Sequence, residues 1–237
     1  MTSLIFCLPH AGGGAHHYMS WAPHLDTDVE WVPLDYAGHF SRADEPLAES
    51  LAAMAQDLSI QMLRHAVGRS FVLFGHSMGG AVAFEVAHLL ASQVPDAIRL
   101  LAISSARPPH RRDPAAPCHF ALGDEEFIGH LVRAGGLSVA MAAHPVLTET
   151  LLPLVRHDYR LHHRYQPPVR PPLPVPITTF CGNAEEALHP EMAKWADLST
   201  TPLSHKRYPG SHFYWRECLS TVAKDLSAQA RFAATPL

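Results

Sequence analysis

The 237-residue sequence predicts an α/β fold, a single domain built on a mostly parallel sheet with helices on both faces. Three observations carry this prediction. Short, continuous apolar runs alternate with longer segments whose apolar residues recur at helical spacing. Glycine-rich turns follow two of the apolar runs. A helical stretch bracketed by proline-rich segments, at about 107–170, interrupts the alternation, which indicates an insertion into the domain.

The elements follow in a regular order. Strands are predicted at 4–9, 29–36, 70–76, 98–106, 175–182 and around 205–210. Outside the insertion, helices are predicted at 45–66, 78–92, 190–197 and 216–232. The first helix carries apolar residues four and three positions apart, at Leu47, Leu51, Met54, Leu58 and Met62. Strands that alternate with helices imply right-handed βαβ units and a parallel sheet that is buried on both faces.

Composition and charge exclude several classes of protein. With 47% hydrophobic and 17% charged residues the chain is globular, and a net charge of −4 excludes a chain-wide nucleic-acid surface. The first apolar run has no basic leader and is too short for a membrane span, so it predicts a strand. The 18 histidines lack zinc spacing, and we expect no metal and no cofactor. Four cysteines are dispersed without a CxxC motif, which indicates reduced thiols and a cytoplasmic location: Cys7, Cys118, Cys181 and Cys218.

The motif "GHSMG" places Ser77 between a predicted strand and a predicted helix. This is the context of a nucleophile elbow, in which a sharp turn presents the serine and nearby glycines make room for it. Gly75 and Gly79 supply that room, and the helix N-terminus directs its free N–H groups towards the serine oxygen. A structural turn serine is the alternative. A phosphate loop is a weaker interpretation, since no Lys-Ser/Thr follows the glycines.

A serine hydroxyl needs a base, and a histidine needs an acid that holds it. In this arrangement the chain order is serine, acid, histidine, so "YPGSHFYW" supplies His212 as the base, just past the last strand. The acid is expected after the strand "VPITTFCG", where the sequence offers Glu185, with Glu186 as the local alternative and Asp158 as a third candidate. Both glutamates can also be solvated loop acids or favourable charges at a helix N-terminus.

Two backbone N–H groups are required to bind the oxyanion of an acyl-transfer intermediate. Met78, directly after the serine, is predicted to supply one. The loop "PHAGGGA" is predicted to supply the other through Ala11, with Gly12 as the alternative. These glycines can equally serve only to make a tight strand–helix connection.

The chain resembles the type II thioesterases that accompany polyketide and nonribosomal peptide synthetases, over roughly residues 4–225. The resemblance rests on five segments in order, "LPHAGGGAHHYMSW", "PLDYAGHFSR", "FGHSMGGAVAFEVAHLL", "LLPLVRHDYRL" and "YPGSHFYW". In the second segment, Gly38 and Arg42 fit the family pattern. It implies an α/β-hydrolase fold with a helical lid at 107–170, and hydrolysis of acyl groups from the 4′-phosphopantetheine thiol of carrier proteins, which clears stalled or wrongly primed units. The family's nucleophile falls on Ser77 and its base on His212.

Two positions depart from the family pattern. Glu185 stands where the family usually has the aspartate of a G-x-x-D motif, and Ser211 stands where a glycine usually precedes the histidine. Because the acid departs, a non-catalytic binding protein on a hydrolase fold stays an alternative. A general carboxylesterase or lipase is the alternative within the same class of enzyme, and an acyl-serine can also be intercepted by nucleophiles other than water.

The insertion is predicted to contribute both the acyl pocket and a docking surface. Apolar residues expected along the pocket are Leu131, Val132, Leu137, Met141, Val146 and Leu151. Carrier proteins are usually acidic, so docking requires a local basic area. Candidate cations are Arg111 and Arg112 of "RPPHRR" and the series Arg156, Arg160 and Arg164. We expect an acyl-loaded carrier protein as partner, no nucleic acid, no membrane and a monomeric chain.

Overall fold

The computed structural model describes residues 2–113 and 115–234. Within them the core is a six-stranded sheet in the order β2-β1-β3-β4-β5-β6, and every pair of neighbours is parallel. The strands are β1 Ser3–Leu8, β2 Val29–Pro33, β3 Phe71–His76, β4 Ile98–Ser104, β5 Ile177–Gly182 and β6 Ser204–Tyr208. The predicted α/β class with a parallel sheet is therefore confirmed.

Helices cover both faces of the sheet. The α-helices are α1 Leu51–Ala66, α2 Met78–Ala91, α3 Asp124–Arg133, α4 Val139–Ala142, α5 Pro145–Arg164, α6 His189–Met192 and α7 Trp215–Ala234, the last with a kink at Cys218. Short 3-10 helices span Ala15–His24, Phe40–Arg42, Pro109–Arg111, His119–Ala121 and Ala193–Leu198. One apolar core packs α1 and α2 on the sheet, and a second packs α7 and the first 3-10 helix on the other face. None of the described helices is long and apolar enough to cross a membrane.

The central strands are continuous apolar runs in the sequence because helices cover both faces of the sheet. All six residues of β3 and of β5 are buried, as are five of the six in β1. Since all strands run in one direction, their carboxyl ends meet at one edge of the sheet. The loops after β1, β3, β4 and β5, which carry Ala11, Ser77, Ser105 and Glu185, therefore converge.

The first helix starts later than its periodicity predicts. The spacing predicts a helix from residue 45, whereas α1 begins at Leu51. Ser50 is extended, with φ −157°, and its side chain accepts a hydrogen bond from the Ala53 N–H at 3.1 Å. A side-chain cap of this kind marks the N-terminus of a helix, so α1 begins after Ser50 and Leu47 lies outside it.

Between β4 and β5 the chain forms α3, α4 and α5 rather than sheet, where the sequence predicts an insertion. We call residues 107–170 the helical insertion. Its buried side chains form an apolar cluster of their own, with Phe127, Leu131, Leu137, Leu152 and Val155. Arg156 of α5 donates hydrogen bonds to the Phe120 and Leu122 carbonyl oxygens and to Asp124. Arg156 thus holds the insertion together and is a poor candidate for a docking residue.

Candidate active site

Ser77 occupies the turn between β3 and α2 in a strained backbone conformation, with φ 56° and ψ −118°. A residue other than glycine adopts such angles only where its surroundings impose them, and such strain concentrates at functional sites. The tight packing that imposes them requires glycine on either side. A Cβ atom on Gly75 would lie 2.2 Å from the Gly79 carbonyl oxygen, and one on Gly79 would lie 2.1 Å from the Leu8 carbonyl oxygen. Ser77 thus lies in a strained strand–helix turn with the crowded glycines that the sequence predicts for an elbow.

His212 and Glu185 form a hydrogen-bonded pair. His212 lies in the turn between β6 and α7, and its Nδ1 is 2.8 Å from Oε1 of Glu185. The other carboxylate oxygen of Glu185 accepts hydrogen bonds from the Ser105 hydroxyl at 2.5 Å and from the Gly182 N–H at 3.2 Å. Three donors therefore fix the carboxylate, which in turn fixes the orientation of the imidazole ring.

The charge of Glu185 follows from these contacts. Burial alone would raise the pKa of its carboxyl, but the hydrogen bonds and charge of His212, together with the Ser105 hydroxyl, outweigh burial and lower the pKa below its usual value of 4.5. Glu185 is thus a carboxylate at neutral pH. Glu186 is exposed and makes no hydrogen bond or ion pair with His212 among the described residues. The structure brings Glu185 to the histidine and leaves Glu186 in solvent.

Ser77 and His212 line a cavity of about 390 Å³ whose wall is otherwise mostly apolar, and which we call the inner cavity. Four of the apolar residues predicted for the pocket lie on it, namely Leu131, Leu137, Met141 and Leu151. Val132 is not on this wall, and the side chain of Val146 lies outside the described part of the chain. An apolar chamber of this kind is suited to a hydrocarbon chain.

A second, wider cavity of about 700 Å³ also includes Ser77 and His212, and we call it the mouth. Arg107 and His162 lie on its wall. In the described structure no hydrogen bond joins the Ser77 hydroxyl to His212. Catalytic hydrogen bonds are often long in an enzyme without substrate and shorten in the complex, so the shared cavities are the relevant geometry.

Of the two loop residues predicted to bind the oxyanion, the structure favours Ala11. The Gly12 N–H donates a hydrogen bond to Oδ2 of Asp158 at 2.7 Å and is therefore occupied. The Ala11 N–H has no acceptor among the described residues, and Ala11 lines the inner cavity. Met78 is the first residue of α2, so its N–H has no acceptor within the helix.

Asp158 has a position that the sequence does not reveal. It is fully buried on α5, and one of its oxygens accepts hydrogen bonds from the Gly12 N–H and from Nε2 of His39, the latter at 3.0 Å. Burial lowers the pKa of His39, but the hydrogen bond and charge of Asp158 raise it more, so the net pKa is above 6.5. Asp158 is thus not a partner of His212. It ties the helical insertion to the loop that carries Ala11.

Two other histidines lie close to Ser77 but are buried and neutral. His76 hydrogen-bonds through Nδ1 to the Ser104 hydroxyl, and His10 to the Tyr18 hydroxyl, at 2.8 and 2.9 Å. Burial, assisted by neighbouring cations, lowers the pKa of both well below 6.5. They pack beside His212 without competing with it for protons. In the described chain no group of three or more histidine, cysteine, aspartate or glutamate side chains is arranged to hold a metal ion.

Comparison with known proteins identifies the family of the chain. Residues 4–230 match the family model described as the thioesterase domain. The chain belongs to the thioesterase family. It is 28% identical over 226 residues to thioesterase PikA5 of Streptomyces venezuelae, across 94% of this chain and 79% of that protein.

Solved structures of proteins from biosynthetic pathways share the fold. ClbQ, from the colibactin NRPS/PKS pathway, superposes with a TM-score of 0.90 at 27% identity, over 98% of each chain. BorB, a type II thioesterase from the borrelidin biosynthetic cluster, superposes with a TM-score of 0.86 at 28% identity, over 98% of this chain and 94% of that one. The predicted α/β-hydrolase fold and the resemblance to type II thioesterases are confirmed, and this thioesterase is a hydrolase. The roles of the individual residues stay predictions.

Proposed function

We propose that this thioesterase hydrolyses acyl groups from the 4′-phosphopantetheine arm of carrier proteins, and so removes stalled or wrongly primed units in polyketide or nonribosomal peptide biosynthesis. The observation that carries the proposal is the strained Ser77, held at a largely apolar cavity that it shares with the His212–Glu185 pair. The pathways named for ClbQ and BorB support the choice of substrate.

In the first step the Ser77 hydroxyl attacks the thioester carbonyl while His212 accepts its proton through Nε2. Glu185 stabilises the imidazolium that forms, because its carboxylate already accepts the Nδ1–H bond. The Met78 and Ala11 N–H groups bind the oxygen on which negative charge develops. Collapse of the tetrahedral intermediate breaks the C–S bond, and the thiol departs with the proton from His212.

In the second step water replaces the thiol. His212 removes a proton from the water, which attacks the acyl-serine carbonyl, and the same N–H groups again hold the oxyanion. The carboxylic acid leaves and Ser77 recovers its proton. The inner cavity holds the acyl chain during both steps, and the helical insertion acts as the lid over it.

The non-catalytic alternative requires a degraded acid. Glu185 argues against it, since its longer side chain still reaches His212 at 2.8 Å and is held by Ser105. The general esterase alternative is distinguished by substrate preference. We expect kcat/KM to be higher for an acyl-carrier protein than for a nitrophenyl ester of the same acyl group.

The test compares wild type with Ser77→Ala on an acyl-carrier protein. We expect turnover to fall about 10⁴-fold or more. Ser92→Ala, at an exposed serine beyond the end of α2, is the matched control and should behave as wild type. Hydrolysis by Ser77→Ala at more than about a tenth of the wild-type rate would exclude Ser77 as the nucleophile.

We also propose a cytoplasmic location and a monomeric chain. The four free cysteines support the location, since none of them is joined in a disulfide. The molecular mass measured by sedimentation, at the concentration used in the activity assays, tests whether the chain is monomeric.

A further inference from the structure

A third cavity, of about 860 Å³, adjoins the mouth, and we call it the basic cleft. Arg107 and His162 line both the cleft and the mouth, so the two spaces adjoin each other at these residues. The cleft therefore borders the cavity that contains Ser77.

The cleft is rich in cations. Arg107, Arg112 and Arg170 lie on its wall, whereas Asp113 is the one carboxylate in its described lining. Arg170 is already neutralised, because it forms an ion pair at 2.9 Å with Glu85, which is 2% exposed. The cleft thus retains an excess of positive charge on Arg107 and Arg112.

Within the described chain neither Arg107 nor Arg112 has a hydrogen-bond or ion-pair partner. Their neighbours in "RPPHRR" differ, since His110 pairs with Asp197 at 3.3 Å and Arg111 with Glu191 at 3.2 Å. The cations of this segment therefore differ in whether they have a partner. His110 and Arg111 are paired, although His110 also lines the cleft, whereas Arg107 and Arg112 line the cleft without such a partner.

Arg112 is half-buried, and burial together with the charge of Arg107 lowers its pKa. An arginine still keeps its proton at neutral pH. Placing an unpaired guanidinium in such a position costs free energy, and that cost is recovered when an anion binds. Two neighbouring guanidinium groups offer several N–H donors in the fork geometry that suits phosphate oxygens.

We propose that Arg107 and Arg112 bind the phosphate group of the 4′-phosphopantetheine arm while its thioester lies at Ser77. This inference rests on the proposed function, which brings the arm to the mouth. The same phosphate is present in an acyl-carrier protein and in acyl-coenzyme A. The arm runs from Ser77 through the mouth, past His162, and its phosphate reaches the part of the cleft where Arg107 and Arg112 have no carboxylate partner.

The test uses one acyl group on four supports: pantetheine, 4′-phosphopantetheine, coenzyme A and a carrier protein. The measured quantity is the ratio of kcat/KM for acyl-phosphopantetheine to that for acyl-pantetheine. A charged hydrogen bond contributes about tenfold or more in affinity, so we expect a wild-type ratio of about 10–100. In Arg107→Gln/Arg112→Gln the ratio should fall to about one. Arg111→Gln, at the paired neighbour, is the matched control and should keep the wild-type ratio.

Arg107→Gln alone guards against a folding defect, because Arg107 is exposed; it should lower the ratio about tenfold. If the arginine variants lose kcat/KM to a similar extent with the acyl-carrier protein and with acyl-coenzyme A, the phosphate site is supported. Of these two compounds, the one with the larger wild-type kcat/KM is the natural substrate. A loss confined to the carrier protein overturns the proposal, since the arginines then contact the carrier itself. A wild-type ratio near one also overturns it. Failure of the proposed function looks different, because the wild type then hydrolyses none of the four compounds.

Discussion

The buried contact of Asp158 gives the most quantitative prediction. Asp158→Ala removes the acceptor of two buried hydrogen bonds, from the Gly12 N–H and from His39. Each group left unsatisfied costs about 1–3 kcal/mol, so the free energy of unfolding should fall by about 4 kcal/mol. For a chain of this length that corresponds to a Tm lower by about 8–16 °C. Urea unfolding followed by fluorescence measures the loss.

Asp124→Ala is the control for this variant. Asp124 also bonds a cation of α5, Arg156, but its side chain is 78% exposed, and such surface pairs are worth about 1 kcal/mol or less. If Asp158→Ala costs no more than Asp124→Ala, the buried link between α5 and the loop after β1 has no energetic weight, and the reasoning fails.

The same variant has a pH signature. Because the pKa of His39 is raised in the folded protein, the stability it contributes is fully present below about pH 6.5 and is lost as the pH rises through the folded pKa. The difference between wild type and Asp158→Ala should therefore be larger at about pH 5.5 than at about pH 8.5. A difference that grows with pH would contradict the raised pKa of His39.

Two further predictions concern the reacting groups. Glu185→Gln keeps the shape of the side chain but removes the charge that stabilises the His212 imidazolium, so kcat should fall about 10³–10⁴-fold, while Glu186→Gln, at the exposed neighbour, should stay within about twofold of wild type. Equal effects of the two would place the acid elsewhere. Ser77→Gly should abolish turnover yet raise the free energy of unfolding by about 1 kcal/mol, because glycine adopts φ 56° without strain. A destabilised Ser77→Gly protein in thermal unfolding would show that the turn is not strained.

The fold was predictable because burial on both faces leaves a local signature. The continuous apolar run of β3 and the helical spacing of α1 can each be read within a single window of sequence. The predicted start of α1 was wrong because the apolar periodicity extends back to Leu47, whereas the capping side chain of Ser50 determines where the helix begins.

The candidate site was predictable only in part. Ser77 and His212 follow from chain order and from their places after strands, and counting from Gly182 selects Glu185. Ser105 and Asp158 leave no such signal, because their partners are distant along the chain: Asp158 is 146 residues from Gly12. Likewise, the letters "RPPHRR" do not tell which arginines are paired. That depends on where Glu191 lies in the folded chain.

His162 of α5 borders the inner cavity, the mouth and the basic cleft at once. A shift of this one helix therefore changes the space for the acyl chain, the entrance and the approach to the two free arginines together. At this residue the spaces at the two ends of the proposed substrate are adjusted together. A substitution of His162 that admits a longer acyl chain will therefore also alter the approach to the cleft, so that selectivity for the acyl group and selectivity for its carrier change together at this position.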